Sequence, residues 1–376
     1  MDITSARRLF PAAENVIYLN HASMSPSPVP VRDAMTGLLE SLSAGRFIPG
    51  PRISEMRDEV ARRAADLVGA KAARVALVRN TTHGILLASE GLPWEAGDNV
   101  VCANVEFPAN VYPWLGLKKK GVEVRFAREV DGRIPLHEVA RLVDGRTRVL
   151  ALSFVEFTNG YRNDLVALGE LCGQAGVLFV VDGIQGLGAL GLDMREAGVD
   201  LLSAGGHKWL CGPMGIGIAA LSERAMAEME PAHVGWLSVR RPLEFLDYDM
   251  TLAPDAHRFE EGSPNLVGLA GLGAALGLIL EIGIEKIERR VFELSGRLVE
   301  GLGRLGVEVA SPRGEGEWSG IVSFRPLSGT AIELCSHLSS RSIFVSPRGE
   351  LVRASCHYWN SEEDIDALLE ALGDVP

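Results

Sequence analysis

Residues 177–182 read Val-Leu-Phe-Val-Val-Asp, and residues 203–209 read Ser-Ala-Gly-Gly-His-Lys-Trp. The first is a run of β-favouring apolar residues that closes on one carboxylate, Asp182. So apolar a run fits a strand buried on both faces. The second stretch follows another apolar run, 199–204, and leads into the glycine-rich Gly212-Pro-Met-Gly-Ile-Gly217. Outward from these, similar short runs recur at 75–78, 100–103, 122–126, 148–154 and 216–221. Between them lie segments such as 164–176, whose apolar residues return at helical spacing. This alternation predicts an α/β chain with a parallel sheet covered by helices on both faces. In such sheets ligands bind beyond the carboxyl ends of the strands, so Asp182 and the other residues that follow strands carry functional weight.

The pattern changes after about Phe259. A long helical region, Leu266 to Leu305, leads to short strands at 307–310, 320–324 and 351–355. A final helix follows, with Ser361 and Asp364 spaced as a capping box. The expected division is an N-terminal arm, 1–20, packed on the small domain, then a large domain, 21–258, and a smaller α+β domain, 259–376.

Composition narrows the partners. Forty-nine acidic against 37 basic residues in a chain of 376 give a formal charge of -12. A surface that negative repels phosphate backbones and anionic headgroups, which disfavours nucleic acid and membranes. The N-terminal stretch has no continuous apolar core of the secretory kind. Leu266–Leu280 falls short of the roughly 18 apolar residues that suggest a membrane span. The five cysteines (102, 172, 211, 335 and 356) are odd in number and scattered, which fits a reducing, cytoplasmic setting with most thiols acting as small apolar side chains. Gly186-Leu-Gly-Ala-Leu-Gly191 spells a dinucleotide fingerprint. Asp182-Gly-Ile-Gln intervenes after the strand, however, and Gly206 stands where an acid is needed, so a nicotinamide site is rejected. Metalloprotease, P-loop and α/β-hydrolase motifs are absent, and no metal site is expected.

Lys208 sits among glycines that let a bulky ring approach the backbone. Desolvation there would lower its pKa and supply the free amine of a Schiff base. On its own it is better read as a surface lysine in a hairpin, and its company overturns that reading. Asp182, at a strand end, wants a cation, and a pyridinium nitrogen would serve; the alternative is a turn cap. Gln185, three residues on, could reach the phenolic oxygen of such a ring or stabilise the turn. Asn80-Thr81-Thr82, between a strand and a helix, offers hydroxyls and N–H groups to a phosphate, or simple capping. Phe107, in Val105-Glu-Phe-Pro-Ala-Asn-Val-Tyr-Pro-Trp114, could stack on the ring or belong to the core.

Taken in order, the Asn-Thr-Thr turn, the Glu106–Trp114 segment, Val181-Asp-Gly-Ile-Gln-Gly186 and Gly205-Gly-His-Lys-Trp209 resemble the class V aminotransferase family, which includes the cysteine desulfurases. The likeness runs from Tyr18-Leu-Asn-His-Ala22 to Arg353-Ala-Ser-Cys-His-Tyr-Trp-Asn360. It implies fold type I, with a mostly parallel seven-stranded sheet, and pyridoxal 5'-phosphate as cofactor. It also implies roles. Lys208 would form the Schiff base, Asp182 would pair with the ring nitrogen, Gln185 would meet the phenolic oxygen, and Phe107 would stack on the ring. Thr81, Thr82 and His207 would hold the phosphate, and Arg353 would clamp the substrate α-carboxylate. Ser263 would reach the phosphate of a neighbouring subunit, implying a homodimer with shared sites.

Three positions depart from the family pattern. Phe107 stands where the desulfurases commonly have His, and Gly205 where a phosphate-binding Ser often stands. The stretch 342–350, which carries the desulfurases' catalytic Cys, has none here, and Cys356 lies beyond Arg353. The expected function is therefore Cα proton abstraction from an amino acid by an aminotransferase or C–S/β-lyase, without an enzyme persulfide. An epimerase of the isopenicillin N epimerase kind, or a silent protein that keeps the fold, are the alternatives. His21, Arg348 and Trp236 are candidates for the side-chain pocket.

Overall fold

The computed structural model describes residues 1–374. Its strands in chain order are β1 (Ile17–Tyr18), β2 (Val75–Val78), β3 (Asn99–Ala103), β4 (Glu123–Ala127), β5 (Thr147–Ser153) and β6 (Leu178–Asp182). There follow β7 (Leu201–Gly205), β8 (Gly217–Leu221), β9 (Ile321–Phe324), β10 (Ile343–Phe344), β11 (Ser346–Arg348) and β12 (Leu351–Ser355).

A seven-stranded sheet of order β2-β8-β7-β6-β5-β3-β4 forms the centre. Only β8 runs against the others, pairing antiparallel with β2 and β7. The interior strands β3, β6, β7 and β8 are buried along their whole length, as their uninterrupted apolar runs predict. The edge strand β4 is partly exposed and carries charge, with Arg125 paired to Glu123 and Asp144. Because β2 is parallel to β7, the turn after β2 opens at the same end of the sheet as the residues after β3, β5, β6 and β7. That shared end is the site.

A second sheet, β11-β12-β9, is antiparallel. The N-terminal segment packs beside it: β1 and β10 form a separate parallel pair, and Asn20 bridges Ser355 of β12. The expected strand at 307–310 does not form. Its pairing with β9 is a single bridge, Val309 to Phe324, held by two backbone hydrogen bonds, beyond which Ser311 Oγ takes the Ser323 N–H. The helical region from Leu266 is two helices, Leu266–Ile282 and Ile284–Arg304, bent by 81° about Gly283, whose φ of +93° suits glycine. Among the described residues no single helix is long and apolar enough to cross a membrane. The last helix, Glu362–Gly373, has the capping box, with Ser361 and Asp364 bonding reciprocally.

The packing shows no break at residue 259. Helix Leu266–Ile282 lies against helices Val29–Ser43 and Gly50–Val68, and its side chains join the large core. The small core begins with Leu294 and Leu298 and includes Leu19. We propose that the small unit starts within helix Ile284–Arg304.

Candidate active site

At the carboxyl end of the sheet a cavity of about 300 Å³ opens. Asp182, Ile184 and Gln185 line it after β6; His207 and Lys208 after β7; Phe107 and Ala109 after β3; and Phe157 after β5. Asn80, Thr81 and Thr82 enter from the turn after β2, Ala22 and Ser23 from the N-terminal segment, and Arg348 and Arg353 from β11 and β12.

Each side chain has a local cause for its place. Helix Thr81–Gly91 begins at Asn80, whose side chain accepts from His83 N–H. Gly84 lets this helix close on β7, since a Cβ there would stand 2.0 Å from Ser203 Oγ. Ser203 Oγ in turn donates to Thr81 O, and Gly205 N–H donates to Thr81 Oγ1. Thr81 and Thr82 are thus fixed at a helix start beside Lys208. Gly205 also makes room for the imidazole of His207, whose Nδ1 would lie 3.2 Å from a Cβ at that position.

Phe107 is anchored by its neighbour. The buried Glu106 carboxylate accepts from Ser153 N–H and Ser153 Oγ, both at 2.6 Å, and from Asn110 Nδ2 at 2.9 Å. Phe107 meets Phe157 edge-on at 5.2 Å and remains 42% exposed, leaving a ring face open to a flat ligand.

The electrostatics follow from burial. Lys208 is 9% exposed, and desolvation lowers its pKa to about 8, with Arg353 and Arg348 adding to the shift and Asp182 opposing it. Burial raises the Asp182 carboxyl to about 6, although Ile184 N–H and Lys208 pull the other way. Glu106 is raised by burial to about 7. Arg353, fully buried, is lowered to about 9 by desolvation and by Arg348. Burial also lowers His207.

The cavity therefore brings together eight of the nine expected residues: Thr81, Thr82, Phe107, Asp182, Gln185, His207, Lys208 and Arg353. Gln185 is already engaged at both ends of its amide. Its Nε2 donates to Ala22 O and its Oε1 accepts from Trp209 Nε1, so one amide proton is left for a ligand. Ser263 and Trp236 lie elsewhere, lining a separate surface pocket with Arg57, His257 and Glu260. His21 is not in the cavity. It is fully buried behind it, bonded to Ser25 Oγ and packed against Trp209, His357 and Trp359. Arg348 does line the cavity.

Sequence reasoning missed Ser23 and Phe157. Ser23 Oγ accepts from Arg353 Nη2 at 2.8 Å and from Arg348 Nη2 at 3.0 Å. Phe157 O accepts from Arg353 Nη1 at 2.6 Å. Nothing local marks Ser23. It is placed because Ala22 N–H is bound to Ser355 Oγ and Ser25 N–H to His207 O. The pairing of the arginines was legible in principle. With a turn at Gly349, Arg353 falls opposite Ser346, so Arg348 shares its face of the sheet.

The donor set fits pyridoxal phosphate. A helix start with two hydroxyls suits a phosphate dianion, a desolvated amine suits an aldehyde, and a raised, buried carboxyl suits a pyridinium.

Residues 17–368 match the model of the class V aminotransferases, and the chain belongs to that family. A probable cysteine desulfurase of Pyrococcus abyssi is 30% identical, over 98% of this chain and 96% of its own. A cysteine desulfurase structure from Thermococcus onnurineus NA1 superposes with a TM-score of 0.90 at 27% identity, covering 98% and 97% of the two chains. The cystine C–S lyase C-DES, solved with its reaction product cysteine persulfide, gives 0.89 at 26% identity, covering 97% and 99%.

Proposed function

We propose that this chain is a pyridoxal-phosphate enzyme that removes the Cα proton of an amino acid, and that a C–S or other β-lyase reaction follows. The observation that carries the reading is the meeting of Lys208, Asp182 and Arg353 in one cavity.

When bound, the cofactor supplies an electron sink for the pair freed at Cα. The protein's part is positioning and proton transfer. Thr81, Thr82 and His207 would hold the cofactor's phosphate, Gln185 would offer its remaining amide proton to the phenolic oxygen, and Phe107 would lie against the ring. Asp182 would pair with the pyridine nitrogen and keep it protonated, the ion pair drawing its carboxyl down from the raised value. Arg353 fixes the α-carboxylate and so aims the Cα–H bond. The Lys208 amine, lowered by burial to a pKa of about 8, would take that proton, its free form prevailing at mildly alkaline pH. A β-elimination would break the Cβ–S bond as the Cα–H electron pair forms a Cα–Cβ double bond, with the C–S pair leaving on sulfur; water would then release pyruvate and ammonia from a cysteine-type substrate.

The names of the relatives favour sulfur-bearing substrates. Against an enzyme persulfide stands the lining of the cavity, which contains no cysteine among the described residues. Cys102, Cys172, Cys211 and Cys356 are buried, and Cys335 lies on helix Ala331–Ser340. The test is turnover of cysteine, cystine and other amino acids by the holoenzyme, with product analysis and persulfide labelling of the protein. Catalytic pyruvate and ammonia without label on the protein supports the lyase. Stoichiometric pyridoxamine phosphate without a keto-acid acceptor would move it to the aminotransferases, solvent-proton exchange alone to the epimerases. A labelled enzyme cysteine would overturn the route without a thiol.

A further inference from the structure

Arg348 and Arg353 converge on one hydroxyl, Ser23 Oγ. Their other partners are backbone carbonyls: Pro347 O for Arg348 and Phe157 O for Arg353. Neither is ion-paired among the described residues, whereas Arg57, also buried, has Glu260 at 2.6 Å. Arg353 Nε is buried without a hydrogen-bond partner.

The charges lining the cavity do not cancel. Lys208, Arg348 and Arg353 face a single acid, Asp182; on the reading above Lys208 and Asp182 would both be taken up by the cofactor, which leaves the two arginines facing the substrate. A desolvated guanidinium without a counter-charge costs stability, so the buried Arg353 calls for an anionic ligand. An α-carboxylate held by Arg353 leaves the Arg348 charge unmatched. The two also differ in depth, Arg353 being fully buried and Arg348 partly exposed at the rim. Ser23 stands between them. With both lone pairs taken, its hydroxyl still has a proton to donate to an anionic oxygen.

We propose that Arg348 recognises a second anionic group, so that the preferred substrates are amino acids with a carboxylate in the side chain. This rests on the reading of Arg353 as the α-carboxylate clamp. Arg353 and Arg348 share a face of the β11–β12 hairpin as diagonal neighbours, so the two anionic groups are held by one rigid element.

The test uses unreactive acids, which need no turnover. Dissociation constants of the holoenzyme for succinate and glutarate are compared with those for succinamate and glutaramate by calorimetry. The wild type should prefer the dicarboxylates by roughly 10- to 100-fold. In Arg348→Gln the ratio should fall close to one, and Arg348→Lys should recover part of it; Arg353→Gln should weaken all four acids. A wild-type ratio near one overturns the proposal, as does an Arg348→Gln protein that weakens dicarboxylate and monoamide alike. These acids carry no amine. A protein that shows the ratio but turns over no amino acid would therefore defeat the catalytic reading and leave the anion site standing.

Discussion

The Nζ of Lys208 stands 5.4 Å from the centroid of the Phe107 ring. The two residues follow strands separated in the sheet by β6 and β5, and are 101 positions apart in the chain. An ammonium at that distance gains a modest cation–π attraction, on the order of 0.5–2 kcal/mol. It is not enough to offset the desolvation that lowers the Lys208 pKa to about 8. The amine is therefore largely available as a nucleophile at mildly alkaline pH.

That availability has a pH signature. Only the free amine attacks an aldehyde, so capture of pyridoxal phosphate by the apoprotein should quicken with pH and level off above about 8. A lysine at its ordinary 10.5 would keep accelerating well beyond that. Arg353→Gln removes a repelling charge and should move the midpoint upward. Stopped-flow absorbance across pH 6–10 checks both expectations. Lys208→Ala should lose the cofactor band and turnover together, and a variant that kept full activity would refute its role.

Asp182 is held at a cost to the apoprotein. Its carboxyl titrates at about 6 in the folded chain against 3.8 ordinarily, so between those values the folded state keeps a proton that the unfolded state has released. Stability falls as pH rises through that window. Asp182→Asn should accordingly make the apoprotein more stable by about 1–3 kcal/mol at pH 7–8, with little change at pH 3. The same variant should lose about 100-fold or more in turnover, since it no longer keeps the ring nitrogen charged. Urea unfolding at several pH values, set beside steady-state rates, reads both effects.

Glu106 has the same sign and a different job. Its folded pKa of about 7 exceeds its ordinary 4.5, so its contribution to stability declines from about pH 4.5 to 7. Relative to Glu106→Gln, the wild type should lose stability across that range, by roughly 1–3 kcal/mol. Because Glu106 ties the Phe107 loop to Ser153, the variant should also bind cofactor more weakly. Thermal melts of the two apoproteins and a cofactor titration test this; parallel melting curves against pH would contradict it.

Gly84 sets the approach of the phosphate-side helix. A methyl there meets Ser203 Oγ at 2.0 Å and Ser203 Cβ at 2.7 Å. Gly84→Ala should cost about 1–3 kcal/mol and weaken cofactor binding by shifting Thr81 and Thr82. Ser203→Gly in the same chain should restore much of the loss. A double variant as weak as the single one would mean that the helix is held by other contacts.

Some of this organisation needed only the chain. The uninterrupted apolar runs of β3, β6 and β7 mark strands covered on both faces, because few other environments accept so many unbroken β-branched and apolar side chains. Residues that close such runs, Asp182 and the Gly206–Lys208 turn among them, must emerge at the ends of strands. The Ser361–Asp364 cap was equally local, resting on a hydrogen-bond pattern within four residues. Gly283 was harder to read, since glycine inside a helical pattern is tolerated as often as it breaks one. The failed strand at 307–310 lost to Ser311, whose hydroxyl takes the Ser323 N–H that the next rung of the ladder would use.

The sequence by itself thus determined the strand-rich α/β frame and the residue types able to bind a phosphate, a pyridine nitrogen, an aldehyde and a carboxylate. Their assembly was decided by the tertiary structure. Local sequence says where a side chain leaves its strand but not which distant strand lies beside it. Ser23 reaches Arg348 and Arg353 across more than 300 residues because Asn20 bridges Ser355 and Ala22 N–H is tied to the Ser355 hydroxyl. His21, one residue from Ala22, turns instead into an aromatic pocket behind the cavity. The pKa values of Lys208 and Asp182 belong to the tertiary level too, since desolvation is a property of the packed cavity and of no segment alone.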